Sequence, residues 1–503
     1  MSLISCARLT RTLRAKFRRI RGNESVAADI PLIQFASVGD VEGVRLAMAS
    51  GPYSLQDLGE GLRAAAARGH LNVVIALHQG GLSLDRDGGS ALSVAAENGH
   101  VEVVRYLHQN GVDIRRADDE ALRTASARGR AHVIEYLHRS GSQHALLSVE
   151  SRRRIAEMES EIKEADAVYH PSRFWSMLND SNVTLLNWGG EENFKRTINQ
   201  NYFNFVPTSL LDPRMLRLMS LWVRHPSLAI VGYRIQDPDH DPALWFSWDE
   251  SYEIFKQRRP LQLQIYKLFV ALLYEYGVAT DESRMLARLE EPPLGNPIRI
   301  TRFGRLVSQD LVNSIRERNV IVEAFGDLDG TARPIVAELG AGYGRLGYAL
   351  LATTRCRYIV FDIPPALYIA EWYLSRLFPR LRIFRFRHFR SYQEIADELA
   401  GADIAFFTAN QLELLPDRWC DAVVTVSSLH EMRVEQISHF LALMATKARK
   451  LIYLKQHERY VNPYDVLTID RGHYTFPSEW RIVLERPDVV NPGFFELVAA
   501  RHE

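Results

Sequence analysis

An apolar run, Ile335–Leu339, carries an acid, Glu338, into a turn punctuated by Gly340, Gly342 and Gly344. A second apolar run, RYIVFD, ends in another acid, Asp362. Strand, glycine turn and helix in that order let a backbone approach a nucleotide-type ligand where any Cβ would collide. Asp362 lies 24 residues beyond Glu338, near the roughly 20-residue spacing at which a carboxylate meets a ribose hydroxyl.

Two cofactor classes compete for such a loop. A dinucleotide site needs G-x-G-x-x-G, whose third small residue packs helix against strand; here that position is Arg345. Glu338 would also repel a pyrophosphate, whereas an acid suits a cationic ligand such as the sulfonium and amino group of S-adenosylmethionine. The pattern E-x-G-x-G-x-G therefore reads as a methyltransferase loop, with Glu338, Gly340, Gly342, Gly344 and Asp362 as cofactor residues. Past it, WCDAVVTVSSLHEM supplies a strand that ends in polar residues. His430 and Glu431, just beyond that strand, are the candidate bases, since a His titrates near neutrality and Glu431 could orient it or act itself. A helix cap or core hydrogen bond is the bland alternative for His430. Ser427 and Ser428 are expected on the cofactor or as a helix cap, and Thr408, Asn410 and Gln411 near an adenine or simply in a loop. No close His/Asp/Glu ligand spacing accompanies Asp421 or Asp362, so the expectation is metal independence.

The elements that position these residues follow a βα alternation. LRIFRF and DIAFFT compete for the third strand position, KLIYLKQ gives a further strand, and EWRIVLER and FFELVAARH form a hairpin around PDVVNPG. This implies a doubly wound, Rossmann-like α/β domain over residues 331–503, with ligands at the carboxyl ends of its strands. Residues 169–330 read as a mostly helical substrate or lid region. They hold five of the eight tryptophans (Trp175, Trp188, Trp222, Trp245, Trp248), expected in the core with stacking on the apolar faces of sugar rings as the alternative, and the donor-rich segment KRTINQNYF. Arg196, Asn199, Asn201 and Tyr202 are the substrate-binding candidates there, an interdomain strut being the alternative reading. A helix from Ser308 to Phe325 is expected beside the cofactor cleft.

Upstream stands a repeat of period 30: Gly39-Asp40, Gly69-His70, Gly99-His100 and Gly129-Arg130. Each unit reads as two short helices around a glycine turn, with Val73, Val74, Leu77 and their equivalents Val103, Val104, Leu107 as an apolar stripe. One unit cannot bury that stripe alone, so neighbours must stack into an α-solenoid. The array resembles ankyrin repeats over residues 29–147, although the usual period of 33 and the Thr-Pro-Leu-His tetrapeptide are missing; that puts the hairpin finger in doubt. It implies a protein-binding surface for an unknown partner. His78, His108 and His138 recur once per repeat, which suits surface or inter-repeat positions better than a converging metal site. Residues 148–168 alternate charge sign and suggest a solvent-exposed connector helix.

Residues 1–28 form a basic segment, with seven Lys or Arg and no acid between Arg8 and Arg21. Leu9, Leu13, Phe17 and Ile20 share one helical face. A solvated terminus is the expectation; weak contact with an anionic membrane surface or partner, and an organelle presequence, are the alternatives. The 61 basic and 61 acidic residues cancel, which excludes a uniformly basic nucleic-acid binder. Three cysteines without framework spacing point to a reducing, cytoplasmic location.

The segments FWSMLND, NFKRTINQNYF, ELGAGYGRLGYALL, FDIPPALYIAEWYL, ANQLELLPD and SSLHEM together resemble the sugar O-methyltransferase family, from about Pro171 to the C-terminus. The resemblance implies methyl transfer from S-adenosylmethionine to a hydroxyl of a sugar or glycosylated acceptor. A non-sugar polyhydroxyl acceptor, or an adaptor that keeps the fold without catalysis, are the competing readings.

Overall fold

The protein is described from a computed structural model, and the structure describes residues 32–51, 53–128, 130–142, 146–198, 207, 209–224, 232–235, 252–326, 333–462 and 466–502. The basic N-terminal segment, Gly129, and the substrate candidates Asn199, Asn201 and Tyr202 lie outside these residues. The chain divides into two compact units, one holding the repeats with Trp188–Glu192, the other holding most of the remaining chain from Leu147 onward.

In the first unit every regular element among the described residues is a helix, paired as Leu55–Ala66 with Leu71–Gln79, then Leu84–Asn98 with Val101–Gln109. Val73, Val74, Leu77, Val103, Val104 and Leu107 are all buried, as the stripe required. The repeated glycine has a specific use. Gly69 adopts φ +73°, and a Cβ there would come within 2.6 Å of the His100 ring. With that space open, His100 Nε2 lies 3.2 Å from the Ala67 carbonyl of the previous repeat. His70 repeats the contact on Ser37, and Arg130 replaces the imidazole by donating to the Glu97 carbonyl at 2.8 Å. The second histidine series also links repeats: His78 Nδ1 lies 2.8 Å from Tyr106 Oη, and His108 Nδ1 lies 2.8 Å from Tyr136 Oη. His138 instead reaches the Ser142 carbonyl.

The second unit is built on one eight-stranded sheet. Its strands are β1 (Ile335–Leu339), β2 (Arg357–Asp362), β3 (Ile383–Phe384), β4 (Ile404–Thr408), β5 (Cys420–Val426), β6 (Ala448–His457), β7 (Trp480–Pro487) and β8 (Phe494–Arg501). They lie in the order β7-β8-β6-β5-β1-β2-β4-β3. The pairings from β6 to β3 are parallel, and β8 runs antiparallel to both β6 and β7. Both candidates for the third strand position enter the sheet, DIAFFT beside β2 and the IF pair as a short edge. Every residue of β4 and β5 is buried, as expected for parallel strands covered on both faces.

Five helices matter for the site: α1 (Val149–Glu164), α2 (Arg173–Gly189), α3 (Gln309–Phe325), α4 (Arg345–Thr353) and α5 (Val434–Lys447). Helix α1 corrects the expectation of an exposed connector. Ile155, Met158 and Ile162 are buried, Arg154 holds the buried Glu371 at 3.0 Å, and Glu161 accepts from Asn410 at 2.9 Å. Most of the alternating charges occupy its outer face, while the apolar residues at i, i+3 and i+7, with Arg154 and Glu161, face the sheet domain. No helix among the described residues is long and apolar enough to cross a membrane.

Candidate active site

Parallel strands place their carboxyl ends together, and here the loops after β1, β2, β4 and β5 meet around a cleft that opens to solvent. Glu338, Gly340, Gly342, Asp362, Ser427, Ser428 and Glu431 all line it. The loop after β1 is tight for a physical reason. Gly340 sits at φ +74°, where a Cβ would fall 2.1 Å from Ser428 Oγ, so glycine there lets the loops after β1 and β5 touch. The amide of Gly342 donates to the Asp362 carboxyl at 2.7 Å. Gly344 behaves differently. It precedes α4 at φ +85° and faces Leu374 rather than the cleft.

Three carboxyl groups in the cleft are displaced from the ordinary acid range. Burial pushes Glu338 well up, against the opposing pull of the Arg345 charge; Tyr358 donates its hydroxyl to this carboxyl. Burial raises Asp362 to about 7, although the amides of Ile363 and Gly342 hold it down in part. Burial also raises Glu431 to about 8, opposed by a hydrogen bond from Trp175 and assisted by the neighbouring Asp362 charge. Perturbed acids gathered in one cleft mark a candidate catalytic centre.

Arg345 explains the missing small residue of the dinucleotide pattern. It is buried and donates to Glu317 of α3 at 2.6 Å and to Ser314 at 3.0 Å. Glu317 continues to Lys455 at 3.1 Å, and Lys455 to Asp488 at 2.6 Å. Thus α3 does lie behind the loop, as its position in the sequence suggested, and it holds Tyr343 through Asp310 as well. Among the described residues Arg345 is the one cation lining the cleft, and Glu317 already engages it. Carboxyls and backbone amides around a glycine cradle fit a ligand with a positive centre and hydroxyl donors; they do not fit a pyrophosphate.

His430 and Glu431 separate sharply. His430 is 2% exposed and does not line the cleft. Its Nδ1 lies 3.0 Å from Gln456 Oε1, and its ring abuts His457 and Tyr460 at centroid distances of 4.6 and 4.7 Å. Burial and the nearby His457 depress it to about 3, so it stays neutral and weakly basic. Its Nε2 is 3.8 Å from Glu431 Oε1, beyond hydrogen-bonding reach. Of the two, Glu431 is the residue the structure brings to the cleft.

Other candidates are drawn elsewhere. Thr408 is fully buried, with its amide bonded to Gln411 Oε1 at 3.2 Å. Asn410 turns to Glu161, leaving Ala409 between them on the cleft. Arg196 is buried, donates to the carbonyls of Asn296 and Pro297 at 2.9 and 3.3 Å, and does not line the cleft. Tyr169, Ser172 and Trp175 line the cleft without having been singled out by motif spacing. Their nearest signal in the sequence is FWSMLND.

A doubly wound sheet that ends in an antiparallel hairpin, with its cleft over a glycine turn, defines a Rossmann-like domain of the methyltransferase type, preceded by ankyrin repeats. The family model of ankyrin repeats, in three copies, matches residues 32–118 and 62–146. A search of curated proteins found no match. Among solved structures, the chain is similar to the 1,6-didemethyltoxoflavin-N1-methyltransferase of Burkholderia thailandensis, crystallised with S-adenosylhomocysteine. That similarity is 15% identity and a TM-score of 0.28, over 39% of this chain and 80% of that one. The magnesium protoporphyrin IX methyltransferase of Synechocystis, with S-adenosylmethionine bound, aligns at 14% identity and a TM-score of 0.26, over 39% and 83%. A methyltransferase of Leishmania major aligns at 18% and 0.26, over 38% and 71%.

Proposed function

We propose that this protein is an S-adenosylmethionine-dependent O-methyltransferase acting on a hydroxyl of a sugar or glycosylated acceptor, with ankyrin repeats that recruit a protein partner. The observation that carries the reading is a single cleft combining the glycine loop, Glu338 and Asp362 with a third carboxyl, Glu431. Resemblance over FWSMLND, KRTINQNYF and SSLHEM supports the sugar acceptor.

S-adenosylmethionine, when bound, supplies a methyl on a cationic sulfur, which leaves as a neutral thioether as the acceptor oxygen bonds to carbon. Gly340 and Gly342 leave room for a close backbone approach, Asp362 would accept from ribose hydroxyls, and Glu338 would hold the amino group. Glu431 receives the proton from the acceptor O–H. Alignment of reacting atoms is worth about 7–11 kcal/mol, while a positioned base adds about 10²–10⁴-fold. Loss of Glu431 should therefore cripple turnover without removing cofactor binding. The test is a panel of free sugars, glycosides and non-sugar polyols incubated with S-adenosylmethionine and read by mass spectrometry for the gain of one methylene. Methylation confined to non-sugar polyols would reject the sugar acceptor. Absence of calorimetric heat with S-adenosylmethionine would reject the enzyme in favour of an adaptor.

A further inference from the structure

Segment 167–175, which precedes α2 and opens it, is fastened across the turn that carries Glu431. Arg433 donates to the Ala167 carbonyl at 3.0 Å, and Gln436 Nε2 donates to the carbonyls of Val168 and His170 at 2.7 and 3.0 Å. Ser172 Oγ donates to the Glu431 carbonyl at 3.1 Å and accepts from the Trp175 amide at 3.3 Å. The Trp175 side chain in turn hydrogen-bonds the Glu431 carboxyl, and both residues line the cleft. An indole can contribute only its N–H donor to such a bond, so its apolar ring remains to form a wall of the cleft.

We propose that Trp175 is the platform for the acceptor ring and the residue that positions the Glu431 carboxyl, so that platform and base move as one unit. The proposal rests on the methyl-transfer reading of the cleft. The acceptor it selects is an uncharged ring with an apolar face and a hydroxyl edge. The face lies against the indole, and the edge presents its O–H to Glu431. An anionic ring is disfavoured, because Glu338 and Asp362 share the cleft with Glu431. Among the other titratable groups around Glu431, His430 is neutral and turned to Gln456, Arg345 is engaged by Glu317, and the Tyr169 and Tyr343 hydroxyls donate to Glu413 and Asp310.

Two readouts test the pair. Without any ligand, tryptophan emission is titrated with pH in the wild type, Glu431→Gln and Trp175→Phe. The wild type should show a transition near pH 8, and both variants should lack it. With the glycoside methylated fastest in the acceptor panel, Trp175→Phe should largely retain KM. It should also move the acidic limb of kcat to higher pH, because the hydrogen bond that holds Glu431 down is gone. Trp175→Ala should raise the acceptor KM about tenfold or more, while calorimetric affinity for S-adenosylmethionine stays unchanged. An emission transition that survives in Trp175→Phe, or an unaltered KM in Trp175→Ala, overturns the proposal. No heat with S-adenosylmethionine in the wild type overturns the underlying methyl-transfer reading instead.

Discussion

The Gly342 amide and the Asp362 carboxyl are joined by a 2.7 Å hydrogen bond that ties the glycine loop to the end of β2. In the free protein burial keeps Asp362 protonated up to about pH 7. Accepting ribose hydroxyls near a cationic ligand favours the ionised form, so binding must release protons. Affinity for S-adenosylmethionine should rise with pH through about 7 and then level off. In Asp362→Asn the affinity should be weak, with a shallower slope. Calorimetry in buffers of different ionisation enthalpy measures the released proton; affinity that falls with rising pH would point to an anionic ligand.

The same shift has a consequence for stability. Asp362 holds its proton longer in the folded than in the unfolded chain, so its contribution is complete below the unfolded value near 3.9 and is lost as pH rises through about 7. Ligand-free Asp362→Asn should therefore lose less stability than the wild type between pH 5 and 8. Thermal melts across that range read the difference, and parallel curves would mean that Asp362 is solvated.

Glu431 and His430 are adjacent in sequence but opposite in role. Glu431→Gln should lower turnover by about two to four decades with cofactor affinity intact. The acidic limb of the wild-type rate should follow Glu431 near pH 8, not an imidazole near 6.5. His430→Ala should chiefly destabilise the fold, since it removes a buried ring packed on His457 and Tyr460. A rate limb near 6.5 that disappears in His430→Ala would restore the histidine as the base.

Local rules made the glycine loop, Asp362 and the repeat stripe readable, because each depends on a few neighbouring residues. The choice between His430 and Glu431 was not readable. It turns on the direction the chain takes after β5, where Ser427 adopts φ +55°, a conformation that no motif spacing encodes. Trp175 was named among the tryptophans, but its pairing with Glu431 was unreadable for another reason: the two lie 256 residues apart. Helix α1 did carry its signal, in Ile155, Met158 and Ile162, but the alternating charges masked it. Arg345 broke the dinucleotide pattern visibly; what it pairs with required α3 in place.

Gly340 and Ser428 occupy space that only one of them can fill with a side chain. Gly340→Ala should lose stability twice over, from a Cβ placed 2.1 Å from Ser428 Oγ and from about 1–2 kcal/mol for a left-handed non-glycine residue. Adding Ser428→Gly should recover the steric part and leave the backbone part. Denaturant unfolding of both single variants and the double variant gives the coupling. Additive losses would mean that the two loops do not touch.

Arg345 and Lys455 both hold the fully buried Glu317, at 2.6 and 3.1 Å. Lys455 is shared with Asp488, so removing Arg345 leaves Glu317 with half a cation in an interior that cannot hydrate it. Arg345→Leu should cost about 3–5 kcal/mol, the usual penalty for stranding one member of a buried pair. Because Arg345 also begins α4 beneath the glycine loop, cofactor affinity should fall with it. Arg345→Leu combined with Glu317→Gln should regain part of the stability, since no charge is then stranded, while Lys455 keeps Asp488. Urea unfolding at pH 7 distinguishes the cases, and a single variant as stable as the wild type would show that Lys455 alone satisfies Glu317.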